Sequence, residues 1–106
     1  MSSFEKVKKF LQELDTEKIH FKKHFTERVR ERPINQGMTL KLLKQTDKLL
    51  KVDEQSSINE GEEKYKLWLK LSHRYSLVLI VAIREKDLYI ITGWNTDTKW
   101  QKAIQK

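Results

Sequence analysis

His24, Arg28 and Arg32 recur at steps of four, a spacing that can do chemistry. On a helix turning about 100° per residue the three fall within about 80° of one another. They would form a ridge beside the apolar stripe of Phe21, Phe25 and Val29. Two guanidiniums offer planar forks for bidentate contact with phosphate. An imidazole titrates near neutrality and can take up or release a proton. In this arrangement His24 is the expected general acid or base, and Arg28 and Arg32 hold a phosphate and its developing charge. The plainer alternative pairs the arginines with Glu27, Glu31 or acidic residues of neighbouring elements. His20 and His24 also have the i, i+4 spacing of two metal ligands, but no third ligand is evident. No metal site and no cofactor is expected.

A second group lies in Lys64-Tyr-Lys-Leu-Trp-Leu-Lys-Leu71, which alternates with period two as a half-buried strand does. If Leu67, Leu69 and Leu71 face a core, then Lys66, Trp68 and Lys70 face the other way. A lysine–aromatic–lysine row on a sheet face supplies base stacking plus phosphate contact for single-stranded nucleic acid. Lys22 and Lys23, just before the ridge, join Lys66, Trp68 and Lys70 as expected nucleic-acid contacts. The alternative is that a C-terminal helix covers Trp68 and the lysines only rim it. Trp94 and Trp100 carry the same ambiguity.

Other chemistries are excluded. The chain has no cysteine, which removes disulfides, Cys-ligated zinc and thiol nucleophiles. Its three glycines, Gly37, Gly61 and Gly93, are too far apart for a P-loop or a dinucleotide fingerprint. There is no Gly-x-Ser-x-Gly elbow. The longest apolar run, Leu77 to Ile83, is far short of the roughly 20 residues that span a bilayer. The N-terminal residues contain no apolar signal region, so the expected setting is cytoplasmic, without a membrane partner. The 106 residues fit a single domain, 1–106. A net charge of +7 attracts polyanions, and nucleic acid is the commonest of these. The surplus is uneven: +5 over residues 1–53 and +2 over residues 54–106.

These residues need elements to position them. Ser2-x-x-Glu5 has capping-box spacing, and Phe4, Val7, Leu11 and Leu14 follow at helical steps, predicting a helix over 3–14. Ile19-His20-Phe21 reads as a brief edge strand or the lead-in to a second helix. That helix would cover 24–31 and stop before Pro33. Residues 35–37 read as a turn, and a third helix is expected over 39–50, with Leu40, Leu43 and Leu50 on one face. Residues 55–63 read as a loop. Strands are expected at 64–71, at 75–83, covered on both faces, and at 88–92. Thr96 or Asp97 could cap a last helix over about 97–105, carrying Trp100, Ala103 and Ile104. The expected fold class is α+β in two layers. A helical part, 3–50, and a C-terminal helix would pack on an antiparallel meander of three to four strands within 64–92.

At this point a resemblance enters. His24 to Ile34 looks like the His-x-x-x-Arg-x-x-x-Arg-x-Ile opening of a small domain family of unknown function, placed near the RelE/ParE toxin superfamily. Lys64-Tyr65, Leu77 to Ile83 and Ile90-Ile91-Thr92 resemble that family's later strand motifs. The resemblance covers about residues 19–95 and leaves the first helix and the tail from Trp94 unexplained. It implies a RelE/ParE-like fold. In the RelE branch it implies metal-free RNA cleavage, in which a 2′-hydroxyl attacks its own phosphate. Only His24, Arg28 and Arg32 carry over by position. ParE-like relatives share the scaffold without cleaving RNA.

Two functional expectations follow. One is a metal-independent toxin-type ribonuclease, with RNA as substrate and a cognate antitoxin or self-association as partner. The other is a non-catalytic module that binds nucleic acid or protein.

Overall fold

The computed structural model describes residues 2–23, 36–56, 60–72 and 74–97 of the chain. Helix α1 runs Ser3–Glu13. The Glu5 N–H donates to Ser2 Oγ at 3.2 Å, which satisfies one donor left open at the helix start. Val7 and Leu11 are buried on its inner face, with Phe4 and Phe10 packed beside them. A 3-10 turn, Thr16–Lys18, leads into strand β1, Ile19–Phe21. Helix α2, Gln36–Lys44, buries Thr39, Leu42 and Leu43. The Lys44 ammonium reaches back to the Leu11 carbonyl at 3.2 Å and also to the Leu14 carbonyl. It thereby satisfies acceptors at the end of α1 and ties the two helices together.

Four strands complete the sheet: β2 Leu49–Gln55, β3 Glu62–Lys70, β4 Tyr75–Arg84 and β5 Asp87–Asp97. Their spatial order is β1-β5-β4-β3-β2. The last four form an antiparallel meander, and β1 adds parallel to β5. One face of this sheet is the inner face. Leu49, Tyr65, Leu67, Leu69, Leu77, Leu79, Val81, Ile83, Leu88 and Ile90 share one core with Val7, Leu11, Leu42 and Leu43 of the helices. Alternation along each strand makes this possible, since every second residue points inward.

The α+β class therefore holds, with two described helices on a five-stranded sheet, while the details differ from expectation. The sheet has five strands rather than three or four, and it is mixed rather than antiparallel. Ile19–Phe21 takes the strand alternative, because Ile19 and Phe21 complete the inner face opposite Leu88 and Ile90. The expected turn at 35–37 is displaced, since Gln36 and Gly37 already belong to α2. The expected third helix stops at Lys44 instead of Leu50. After a 3-10 turn, Thr46–Lys48, Leu49 starts β2 and sits buried opposite Leu69, while Leu50 is 45% exposed. Pairing with the long β3 wins over the local helical spacing, so the helical part does not reach residue 50. The loop is shorter than expected, because Gln55 closes β2 and Glu62 opens β3.

Two local devices shape the meander. Glu85 and Lys86 link β4 to β5, with Glu85 at φ +55°, a conformation that suits the tight hairpin but strains a side-chain-bearing residue. A register shift then pairs Ile80 with Thr92 but Val81 with Ile90, leaving Ile91 as an extra residue in β5. Thr96 and Asp97, expected to cap a helix, extend β5 opposite Ser76 and Tyr75. The rest of that helix, 98–105, lies outside the described residues, as does the expected helix over 24–31.

Candidate nucleic-acid interface

The outer face of the sheet collects what the inner face excludes. Because Tyr65, Leu67 and Leu69 point into the core, Lys64, Lys66, Trp68 and Lys70 point outward. Cross-strand register then assembles a row: Lys51 lies opposite Trp68, Trp68 opposite Val78, and Val78 opposite Trp94. The Lys66 ammonium stands 4.9 Å from the Trp68 ring centroid and 5.4 Å from that of Trp94. The Lys51 ammonium stands 4.9 Å from the Trp68 ring centroid. Each cation is within reach of the negative face of an indole, which orients it without neutralising its charge. Lys51 also lies 3.6 Å from Asp53, whose register partner is Lys66.

Trp68 is only 8% exposed. With Val78 and Ala82 it is buried outside the main core, so it forms a floor for the lysines rather than an open stacking platform. Trp94 is half-buried. Lys70 is exposed near the end of β3, opposite Ser76. Lys66, Trp68 and Lys70 thus share one face, as the alternation predicted.

Lys22 and Lys23 sit at the other end of the same sheet, just after β1, and both are exposed. The Lys22 N–H donates to the Ile90 carbonyl at 2.9 Å, which continues the parallel pairing. The Lys22 ammonium lies 4.9 Å from the Tyr89 ring centroid. His20, between the inward Ile19 and Phe21, points outward and stacks on Tyr89 with ring centroids 4.9 Å apart and planes at 25°. Its Nε2 is 3.6 Å from Asp87 Oδ1. His24, Arg28 and Arg32, the expected catalytic ridge, lie outside the described residues. Among the described residues no group of three His, Asp or Glu side chains could hold a metal ion. Nor is any described helix long and apolar enough to cross a membrane.

A separate polar group marks the β2–β3 end of the molecule. Lys6 of α1 hydrogen-bonds Glu63, and the Tyr65 hydroxyl donates to Glu63 Oε2 at 3.1 Å. The Lys6 ammonium holds the Glu63 carboxyl below the usual carboxylate range, and Glu63 in turn raises Lys6. Burial, reinforced by Glu63, pushes the Tyr65 hydroxyl up. All three keep their ordinary charge state at neutral pH, so the group clamps α1 to the sheet. Ser3 adds a hydrogen bond to Glu54 at 2.6 Å.

Sequence reasoning missed Lys51, because it placed the end of a helix at residue 50. It also left Trp94 undecided and overlooked Tyr89 as the partner of His20. Alternation over Lys51-Val52-Asp53 was the available signal for the first. The bulge at Ile91 hid the second: Tyr89 and Trp94 are an odd number of residues apart, yet the extra residue puts both on the outer face. No family model, curated protein or solved structure gives a significant match to this chain.

Proposed function

We propose that the outer sheet face binds single-stranded nucleic acid without cleaving it. The observation that carries this reading is the Lys66 ammonium held between Trp68 and Trp94, with Lys51 on Trp68 as well. A buried aromatic floor fixes cations at a spacing set by the strands, about 4.8 Å between neighbours. Fixed cations lose little freedom on meeting phosphates, and each contact releases counterions. The net charge of +7 adds long-range attraction. A half-buried Trp94 leaves indole surface for a base.

The RelE/ParE-like assignment is kept as part of this proposal. It is supported by the His24–Ile34 motif and by helices packed on one face of a largely antiparallel sheet. Binding is preferred over catalysis because the described geometry supplies oriented cations and aromatics, whereas the catalytic reading depends on His24, Arg28 and Arg32.

The test is direct. Purified protein with chelator is mixed with labelled single-stranded RNA, single-stranded DNA and duplex DNA at two salt concentrations, and mobility shift and strand breakage are read together. A salt-sensitive shift of single strands without breakage is expected. Breakage of RNA, lost in His24→Ala, would replace this reading with the ribonuclease one. Neither a shift nor breakage of any strand would overturn both and turn attention to a protein partner such as an antitoxin.

A further inference from the structure

His20 and Tyr89 form an aromatic pair at the β1–β5 edge of the outer face, well away from the tryptophans. The His20 side chain is 46% exposed while one of its faces rests against Tyr89 at 4.9 Å. The imidazole is therefore the open end of a two-ring stack. Asp87, 3.6 Å from Nε2, is placed to orient the ring, and Lys22 brings an ammonium to within 4.9 Å of the phenol centroid.

We propose that this pair is a second stacking station for a nucleobase, with Lys22 beside it for a backbone phosphate. The proposal rests on the reading of the outer face as a single-strand interface. It adds to the half-buried Trp94 a second ring open to a base, which the buried Trp68 does not offer. Aromatic rings accept any base by stacking, and an adjacent cation meets the phosphate. Other charged groups share this side: Asp87 lies opposite Arg84, which is 3.4 Å from Glu62, and Lys64 stands in the cross-strand row Lys64–Ala82–Tyr89–His20.

The two stations set a footprint. Tyr89 and Trp94 are five residues apart on β5, which at about 3.3 Å per residue is roughly 13–16 Å once the bulge is allowed for. A stacked strand advances about 3.4 Å per nucleotide, so about five nucleotides are needed to touch both ends. Shorter strands can engage only one.

The experiment is a length series of labelled oligothymidylates, from two to eight nucleotides, read by fluorescence anisotropy at two salt concentrations. The full chain is compared with His20→Ala, His20→Phe and Lys66→Ala. Wild type is expected to tighten abruptly near five nucleotides. His20→Ala should remove that step and weaken the longer strands at least about fivefold, with two- and three-nucleotide strands and the salt slope unchanged. His20→Phe should restore the step, because it keeps an aromatic ring. Lys66→Ala should instead weaken every length and flatten the salt dependence.

A step that survives His20→Ala overturns the station while leaving the interface standing. Loss in both His20 variants overturns stacking as its basis, since a ring alone would then be insufficient. If wild type binds no oligothymidylate, the interface reading fails and the station falls with it.

Discussion

The two faces of the sheet obey the same alternation but carry different side chains. The inner face is mainly aliphatic, and its leucines, valines and isoleucines share one core with Tyr65, Phe21, α1 and α2. The outer face interleaves Trp68, Trp94, Tyr89 and His20 with Lys22, Lys51, Lys64, Lys66 and Lys70. Burial of aliphatic surface stabilises without regard to direction, so the inner face sets stability. On the outer face Trp68, Val78 and Ala82 are buried as well, while the cations beside the rings contribute little to folding and, in the function proposed above, meet an anionic ligand.

That contrast can be broken most decisively from the inside. Leu79→Ala removes a fully buried side chain on the central strand and should cost about 2–5 kcal/mol in urea unfolding. The salt dependence of nucleic-acid binding by the folded fraction should not change. If Leu79→Ala altered that salt slope, the two faces would not be separable.

The outer face offers the reverse test. Lys66→Ala should cost about 1 kcal/mol in unfolding free energy, because the half-buried ammonium gives up its contacts with two indoles. Its salt slope for single strands should fall by about 0.7, the value of one lost phosphate contact. An unchanged slope would mean that Lys66 does not meet the ligand.

Smaller effects sharpen the division between sheet and connection. Glu85→Gly should stabilise by about 1 kcal/mol, because glycine adopts φ +55° without the side-chain penalty. Thermal unfolding would register this as a rise of several degrees in Tm, with binding unaltered.

The Lys6–Glu63 clamp should give the smallest change, and its pH dependence follows from the direction of the shifts. Glu63 is held below its ordinary value of 4.5, so its contribution is present above that pH and fades as pH falls through the lowered value. Glu63→Gln should therefore cost under about 1 kcal/mol near pH 7, the pair being exposed. The difference from wild type should close under acid, as urea midpoints at pH 7 and pH 3 would show. Lys6 is raised, so its share persists below its ordinary value of 10.5 and is lost only as pH rises past the folded value.

Local pattern made a good part of the fold legible. The capped stripe of α1 and the period-two run of β3 are visible in short windows, and both elements form where expected. The long apolar β4 reads as central and occupies the middle of the sheet. β1 and β2 were harder, because each exists through its neighbour: β1 pairs with β5 some seventy residues later, and β2 starts where helical spacing still continues. The candidate site divides in the same way. Lys66, Trp68 and Lys70 follow from alternation within one strand, whereas the ammonium of Lys51 meets Trp68 only through pairing.

The sequence by itself determined which residues of each strand share a side, because side-chain direction in an extended chain has a fixed period of two. It also determined the positive charge and the absence of thiol chemistry. Only the tertiary structure decided which strands are neighbours, and the bulge at Ile91 decided that Trp94 faces the same way as Tyr89. Register is a long-range property, set where inner-face burial is greatest, and a single extra residue reverses everything that follows it.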